Sequence, residues 1–142
     1  MKISIINGPN LNMTGKREPE IYGTQTLDEY LRLLAAGYPD IEFITFQSNV
    51  EGEIVNEIQR VGQDADGIVI NAGAYSHYSI AIADALRAVP AQAVEVHISN
   101  ILAREPERRH SVLAPACVGL IAGFGLDSYR LAVEALDSIH ST

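Results

Sequence analysis

The stretch EVHIS places three chemically active side chains at alternate positions, Glu95, His97 and Ser99. Alternate residues of a β-strand point to the same face, so these three side chains share one face. A carboxylate beside a histidine fixes the tautomer of the imidazole and favours its protonated form, which is a general acid near neutral pH. Same-face neighbours stand about 7 Å apart along a strand, so the spacing does not require direct contact between Glu95 and His97. We interpret the pair as a candidate proton donor, with a purely structural histidine as the alternative.

A second candidate lies in the segment GKREPEIYG, which places Tyr22 close to Arg17. The reference pKa of tyrosine is about 10, and a neighbouring guanidinium favours the phenolate. Lowering a tyrosine pKa by about three units takes roughly 4 kcal/mol, which one or two positive charges in a closed, water-poor site supply. Such a phenolate abstracts a proton next to a carbonyl. On this stretch alone, a tyrosine that anchors a surface loop stays an open alternative.

Other chemistries find less support in the sequence. A metal site of Glu95, His77 and His97 is conceivable, but no motif with metal-ligand spacing accompanies these residues. The sequence lacks a G-x-S-x-G elbow, a Walker loop and a G-x-G-x-x-G after its first strand pattern. Neither lysine, Lys2 nor Lys16, is placed where the desolvation needed by an imine-forming lysine is expected. We therefore predict no metal and no cofactor.

Short strands and helices that alternate along the chain must position these side chains. The β-rich runs are 2–7, 41–47, 67–71, 93–98 and 118–123. The helical patterns are 26–37, 51–62, 79–89 and 126–139. The first helix starts with a capping box, Thr26 and Glu29, and ends at Gly37. Alternation of this kind indicates βαβ units, and it predicts an α/β, flavodoxin-like, five-stranded parallel sheet in the order 2-1-3-4-5 with helices on both faces.

Ligands of this fold bind at the carboxyl ends of the strands, so the residues after each strand are the candidates for function. These stretches are NGPN, QSN, NAGAYSH, HISN and GFG. Turn formation alone enriches Asn, Gly and Ser and is the simpler explanation for most of them. The first connection, however, runs over about residues 8–25, where about 2 to 6 residues are usual. Its length predicts a mobile lid over this edge of the sheet.

Composition and charge limit the possible partners. The chain has 142 residues, 47% of them hydrophobic and 20% charged, with a net charge of −8, which predicts a single domain over 1–142. The acidic balance argues against nucleic acid, and the lack of a long apolar run or of a secretory signal predicts a cytoplasmic protein without a membrane partner. The basic stretch REPERRH fits either a local anion site or ion-paired surface arginines. The single cysteine, Cys117, is predicted to be a small buried residue.

Seven ordered stretches together resemble the type II 3-dehydroquinate dehydratases. They are INGPNLN, REPEIYG, QSNVEGEIV, INAGAYSHYSIAIADAL, EVHISNILARE, RRHS and GLIAGFGLDSYRLA. They occur in the order and at the spacing of that family and cover essentially the whole chain. The resemblance implies a flavodoxin-like fold and a cofactor-free anti elimination of water from 3-dehydroquinate through an enolate, giving 3-dehydroshikimate, in the shikimate pathway or in quinate breakdown.

The resemblance also implies roles for individual residues. Tyr22 would be the base that removes the proton beside the ketone, and Arg17 would promote its ionisation and help to close the lid. Asn10 would bind the enolate oxygen, through a water. His97 would protonate the departing hydroxyl, and Glu95 would set its state. The residues that would hold the substrate are Asn71, His77, Asp84, Ile98, Ser99 and Arg108, with Arg104 close to the site.

The family forms trimers that assemble into dodecamers, so the resemblance implies a homo-oligomer in which Asp84 would act from a neighbouring subunit. Four residues depart from the family pattern: Met13 and Thr14 stand where leucines are usual, Tyr78 where threonine is common, and Ala83 where arginine is common. None of them replaces a proposed catalytic group. The alternative function, from a different class, is a non-catalytic flavodoxin-like module that binds a nucleotide or small anion.

Overall fold

The computed structural model describes residues 1–16 and 25–141, which contain five parallel strands and four α-helices. The strands are β1 (Lys2–Asn7), β2 (Glu42–Gln47), β3 (Gly67–Asn71), β4 (Gln92–His97) and β5 (Gly119–Ala122). The helices are α1 (Leu27–Ala36), α2 (Glu51–Val61), α3 (Ile80–Ala88) and α4 (Asp127–His140). The strands form one sheet in the order β2-β1-β3-β4-β5, and every pair is parallel. The predicted α/β class and strand order are therefore confirmed.

Helices cover both faces of the sheet, as predicted. On one face α2 and α3 pack through residues such as Ile58 and Leu86, and on the other α1 and α4 pack through residues such as Leu31 and Val133. Burial on both faces explains why β3 reads as the continuous apolar run GIVI before Asn71. Each fully buried Ile or Leu contributes about 1.5–3 kcal/mol, so the two core clusters together stabilise the sheet. Within the described residues, every helix is too short or too polar to cross a membrane.

The ends of several elements follow from local interactions. The hydroxyl of Thr26 accepts a hydrogen bond from the Glu29 backbone N–H at 3.2 Å, which caps the N-terminus of α1 as the sequence predicts. Strand β5 ends at Ala122, one residue before the predicted end, because Gly123 has a φ of +99° and leaves the extended region. Strand β4 ends at His97, also one residue early, so the residues after it belong to the connection at the carboxyl edge.

Strands β1 and β3, which are neighbours in the sheet, approach each other closely at their carboxyl ends. The Gly8 N–H donates to the Asn71 carbonyl oxygen at 2.8 Å. A Cβ atom at Gly8 would lie 2.5 Å from the Ala72 carbonyl oxygen, so a side chain here would force the backbones apart. The connections after β1 and β3 then run towards opposite sides of the sheet, which opens a crevice between them.

Candidate active site

A cavity lies at this carboxyl edge, where the topology of the sheet predicts a ligand site. Its wall is built by the connections that follow β1, β3 and β4 and by a 3₁₀ turn at Pro106–Arg108. The lining residues are Pro9, Asn10, Leu11, Thr14, Asn71, Gly73, Ala74, His77, His97, Ile98, Ser99, Ile101, Arg104 and Arg108. Seven of the candidate residues predicted from the sequence are among them: Asn10, Asn71, His77, His97, Ile98, Ser99 and Arg108.

The floor of the cavity holds a buried acid–base pair. The Nε2 atom of His97 lies 2.5 Å from Oε2 of Glu95, and both side chains are almost completely buried. Strand spacing places same-face neighbours about 7 Å apart, but these two side chains approach each other and are in direct contact. Glu95 lies behind His97 and outside the cavity lining. Because Nε2 is bonded to Glu95, Nδ1 is the ring nitrogen that can serve a substrate.

Ser111 contacts the other side of the same carboxylate. Its hydroxyl lies 2.7 Å from Oε1 and 2.9 Å from Oε2 of Glu95, and it accepts hydrogen bonds from the backbone N–H groups of Leu113 and Ala114. Sequence reasoning missed this residue. Ser111 belongs to the stretch RRHS of the family resemblance, but no role is predicted for it there. A serine shortly before the turn at Ala114–Ala116 indicates a backbone cap and says nothing of a contact with Glu95, 16 residues away.

The second histidine of the cavity has its tautomer fixed by the backbone. Nδ1 of His77 lies 2.7 Å from the carbonyl oxygen of His110, so this nitrogen carries the proton and donates it. In the neutral ring Nε2 is then an acceptor. The ring of His77 stacks on that of His97, with centroids 5.8 Å apart and planes 19° apart. His77 therefore offers an acceptor to a ligand hydroxyl next to the acid–base pair.

Arginines form the basic wall of the cavity. Arg104 Nη1 donates to the Ser99 hydroxyl at 3.2 Å, and Arg108 Nε donates to Glu105 Oε1 at 2.9 Å. A hydrogen bond from its own backbone and the nearby positive charges of Arg108 and Arg104 hold the pKa of Glu105 below its usual range. Arg104 and Arg108 are thus hydrogen-bonded and also line the cavity, so the anion site predicted from REPERRH stays a prediction. The wall favours an anionic ligand.

The first part of the long connection after β1 is positioned by polar contacts. Asn10 has a φ of +70°, a left-handed conformation that asparagine tolerates better than most residues, and its N–H donates to Oδ1 of Asn49 at 3.0 Å. Thr14 is buried and lines the cavity. Arg17 and Tyr22 lie outside the described residues, as does the middle of the predicted lid.

A buried hydrogen-bond chain orients Asn71. The hydroxyl of Tyr129 donates to Oδ1 of Asn7 at 2.5 Å and accepts from Nδ2 of Asn71 at 2.9 Å. Oδ1 of Asn71 then accepts from the Gly73 N–H at 3.2 Å. Complete burial raises the pKa of Tyr129, so its hydroxyl stays protonated and keeps its donor role. The chain links α4 to the ends of β1 and β3.

Replacing Tyr129 with phenylalanine is expected to lower the free energy of unfolding by about 2 kcal/mol and to raise KM, because Asn7 and Asn71 each lose a buried partner. Urea unfolding at fixed protein concentration and steady-state kinetics measure both effects. The matched control is Tyr38→Phe, whose hydroxyl donates to the exposed carboxylate of Glu134 at 2.6 Å and is expected to contribute less than about 1 kcal/mol. Equal losses in the two variants would contradict a special role for the buried chain.

One predicted binding residue is not at the cavity of its own chain. The side chain of Asp84 is 71% exposed on α3 and lies 3.6 Å from Arg87 Nη1. It is not part of the cavity lining. Within one chain, therefore, the structure does not bring Asp84 together with the other candidates.

Cysteine and metal chemistry have little structural basis in the described part of the chain. Cys117 is half-buried, more exposed than the sequence predicts. Burial, together with the negative charge of Glu95, raises its pKa to about 12. Over residues 1–16 and 25–141, no three side chains from His, Cys, Asp and Glu are grouped so as to hold a metal ion.

Comparisons with known proteins agree on one family. The family model described as "Dehydroquinase class II" matches residues 1–137. The 3-dehydroquinate dehydratase of Carboxydothermus hydrogenoformans is 56% identical over 138 residues, which cover 96% of this chain and 90% of that protein. The crystal structure of type II dehydroquinase from Butyrivibrio crossotus superposes with a TM-score of 0.93 at 46% identity, covering 96% of this chain and 97% of that one. That of type II dehydroquinase from Propionibacterium acnes superposes with a TM-score of 0.90 at 42% identity, covering 99% and 97%.

Proposed function

This chain belongs to the class II dehydroquinase family, and from that premise we propose how its own residues perform the reaction. Its activity is that of a 3-dehydroquinate dehydratase, as the sequence predicts. This enzyme is a hydro-lyase and belongs to a family of shikimate-pathway enzymes. The roles of individual residues form the proposal. The observation that carries it is the buried contact between Glu95 and His97 at the floor of a basic cavity.

The first step is removal of a proton from the carbon beside the ketone. The phenolate of Tyr22 takes this proton, and the electron pair of the broken C–H bond moves onto the carbonyl oxygen to give an enolate. Arg17, five residues away in the same loop, stabilises the phenolate. Asn10 lines the cavity and supplies an amide donor, directly or through a water, where the negative charge develops. This step needs no cofactor.

The second step expels the hydroxyl group. The enolate re-forms the ketone, its electron pair creates the new C=C bond, and the C–O bond breaks. His97 donates the proton from Nδ1, so the hydroxyl departs as water. The buried carboxylate of Glu95 stabilises the imidazolium before the transfer. Transfer of the proton from Tyr22 back to His97, by way of solvent, restores both groups. Base and acid act on opposite faces of the substrate, which makes the elimination anti.

The remaining cavity residues hold the substrate. We assign its carboxylate to the backbone amide of Ile98 and the hydroxyl of Ser99, which Arg104 orients through the 3.2 Å hydrogen bond. Arg108, Asn71 and the Nε2 acceptor of His77 suit the ring hydroxyls. Such fixed polar groups position the reacting atoms and need not rearrange during the reaction.

A non-catalytic binding module, the alternative interpretation, gives no reason for the Glu95–His97 contact. A binding site for a small anion needs the arginines of the basic wall, but it gains nothing from burying a carboxylate against a histidine. Burying a charged pair costs free energy unless the geometry of the pair is good and further hydrogen bonds satisfy its remaining polar atoms. The acid–base assignment explains that pair, and the family membership of the chain agrees with it.

Three further predictions from the sequence belong to this proposal: a mobile lid over about residues 8–25, a cytoplasmic location, and a dodecamer built as a tetramer of trimers. Asp84 supports the oligomer, since its side chain is exposed and lies outside the cavity of its own chain. Light scattering tests the assembly directly, with a mass near twelve chains expected and a stable monomer as the contradicting result.

The direct test adds purified protein to 3-dehydroquinate and follows the ultraviolet absorbance of the conjugated enone. Absorbance is expected to rise without added cofactor. Borohydride added with the substrate is expected to leave activity intact, because the mechanism forms no imine. The lysine of β1, Lys2, is committed to an ion pair with Asp64 at 3.1 Å. No absorbance change between pH 6 and 9 from folded protein would contradict the function, and substrate trapped on Lys16 would contradict the mechanism.

A further inference from the structure

We propose that Ser111 is a positioning residue for the dehydration: its hydroxyl holds the Glu95 carboxylate in place by a hydrogen bond, and through that carboxylate it orients the His97 imidazole towards the substrate. The inference rests on the proposed role of His97 as the acid. Ser111 itself does not line the cavity and acts only through Glu95.

Counting hydrogen-bond donors fixes the direction of the contact. A serine hydroxyl has one proton and two lone pairs. The lone pairs of Ser111 accept from the N–H groups of Leu113 and Ala114, at 3.2 and 3.0 Å. Its one proton therefore goes to Glu95, 2.7 and 2.9 Å away. Glu95 is therefore the acceptor of this hydrogen bond.

The carboxylate needs such a donor because Glu95 is completely buried. An ionised carboxylate in a dry interior is unfavourable unless it is paired and hydrogen-bonded. His97 supplies the charge partner and Ser111 supplies the second hydrogen bond. Cys117 also lies near the carboxylate, but burial raises the pKa of its thiol, which is neutral and does not pair with that charge.

Loss of the Ser111 hydroxyl would leave the buried Glu95 carboxylate with one hydrogen-bond donor fewer. The carboxylate is then less well held against His97, and the imidazole is less well placed to protonate the leaving group. Substrate binding by the arginine wall does not depend on this hydroxyl, so the loss should fall on kcat and leave KM nearly unchanged.

The segment that carries Ser111 is anchored independently of β4. Leu113 is completely buried, and the Val112 N–H donates to the Ser76 carbonyl oxygen at 2.9 Å. The same segment holds His77, through the carbonyl oxygen of His110. The short stretch 110–113 thus fixes the tautomer of His77 and holds Glu95, the carboxylate partner of His97.

The test is a double-mutant cycle of Ser111→Ala and Glu95→Gln. Ser111→Ala is expected to lower kcat by about 10- to 100-fold, the effect of one hydrogen bond to a charged group, with KM within about twofold of wild type. In the Glu95→Gln background the same change is expected to cause almost no further loss, because Ser111 acts through that carboxylate. If the losses in kcat of the two single variants multiply in the double variant, or if Ser111→Ala keeps the wild-type kcat, the proposal is overturned.

Conservative variants separate the hydrogen bond from simple packing. Ser111→Thr keeps the hydroxyl and is expected to retain at least a third of wild-type kcat, whereas Ser111→Cys keeps the volume with a weaker donor and is expected to behave like alanine. These two variants decide the question even if Ser111→Ala does not fold, since cysteine as active as threonine would overturn the proposal.

The matched control is Ser4→Ala, because Ser4 is a completely buried serine of β1 whose hydroxyl has no partner among the described residues. It is expected to fold and to retain wild-type kcat. If wild type, Ser4→Ala and Ser111→Ala all turn over substrate equally fast, the role of Ser111 is wrong and the proposed function stands. If folded wild type itself shows no turnover, the proposed function fails.

Discussion

Tyr22→Phe is expected to lower kcat by about 10³-fold or more, while binding of substrate analogues stays within a few-fold of wild type. Phenylalanine retains the ring and removes only the hydroxyl that accepts the proton. A positioned general base contributes about 10²–10⁴-fold, and phenylalanine has no atom that can accept the proton. Stopped-flow absorbance for turnover and calorimetric titration with a non-reacting analogue separate the two effects.

A matched control exists in Tyr78, which is 62% exposed and does not line the cavity. Tyr78→Phe keeps the edge-to-face contact with the ring of Tyr75, 5.7 Å between centroids, and is expected to turn over at the wild-type rate. If Tyr22→Phe retained more than about a tenth of wild-type kcat, the assignment of the base would be wrong.

His97→Ala is expected to lower kcat by about 10²–10⁴-fold, because the leaving hydroxyl loses its proton donor. The buried carboxylate of Glu95 also loses its charge partner, so part of the effect appears as lower stability. Alanine leaves a space the size of the ring at the cavity floor, and added imidazole is expected to restore part of the activity. Steady-state rates at increasing imidazole concentration measure this rescue.

His140 provides the control for this second prediction. It lies near the C-terminus of α4, exposed and 3.2 Å from Asp66, far along the chain from the cavity residues. His140→Ala is expected to retain wild-type kcat and to be insensitive to imidazole. If His97→Ala were fully active without imidazole, the assignment of His97 as the proton donor would be wrong.

Much of the fold could be predicted because local patterns and burial agree. The apolar run GIVI is buried on both faces, as is typical of a strand in a parallel sheet between two layers of helices. Thr26 and Glu29 mark the start of α1 by a contact made within one turn. The predicted end of β5 is one residue too late because Gly123 takes a positive φ, a property that composition alone does not reveal.

The site was predictable to the extent that topology concentrates polar residues at one edge. Asn71 and His97 end neighbouring strands, so their place at the cavity follows from the strand order. The direct Glu95–His97 contact depends on a rotamer, and the Ser111 contact depends on the path of a long connection, so neither follows from spacing along the chain. The roles of Tyr22 and Arg17 rest on the sequence and its family, since both lie outside the described residues.

The central claim is that one residue removes the proton and another expels the hydroxyl, and solvent exchange tests it most directly. Each variant is incubated with 3-dehydroquinate in D₂O, and the hydrogens beside the ketone are followed by NMR. We expect His97→Ala to exchange the hydrogen anti to the hydroxyl while forming almost no product, because Tyr22 still makes the enolate. We expect Tyr22→Phe to show neither exchange nor product. Exchange by Tyr22→Phe together with none by His97→Ala would contradict the account.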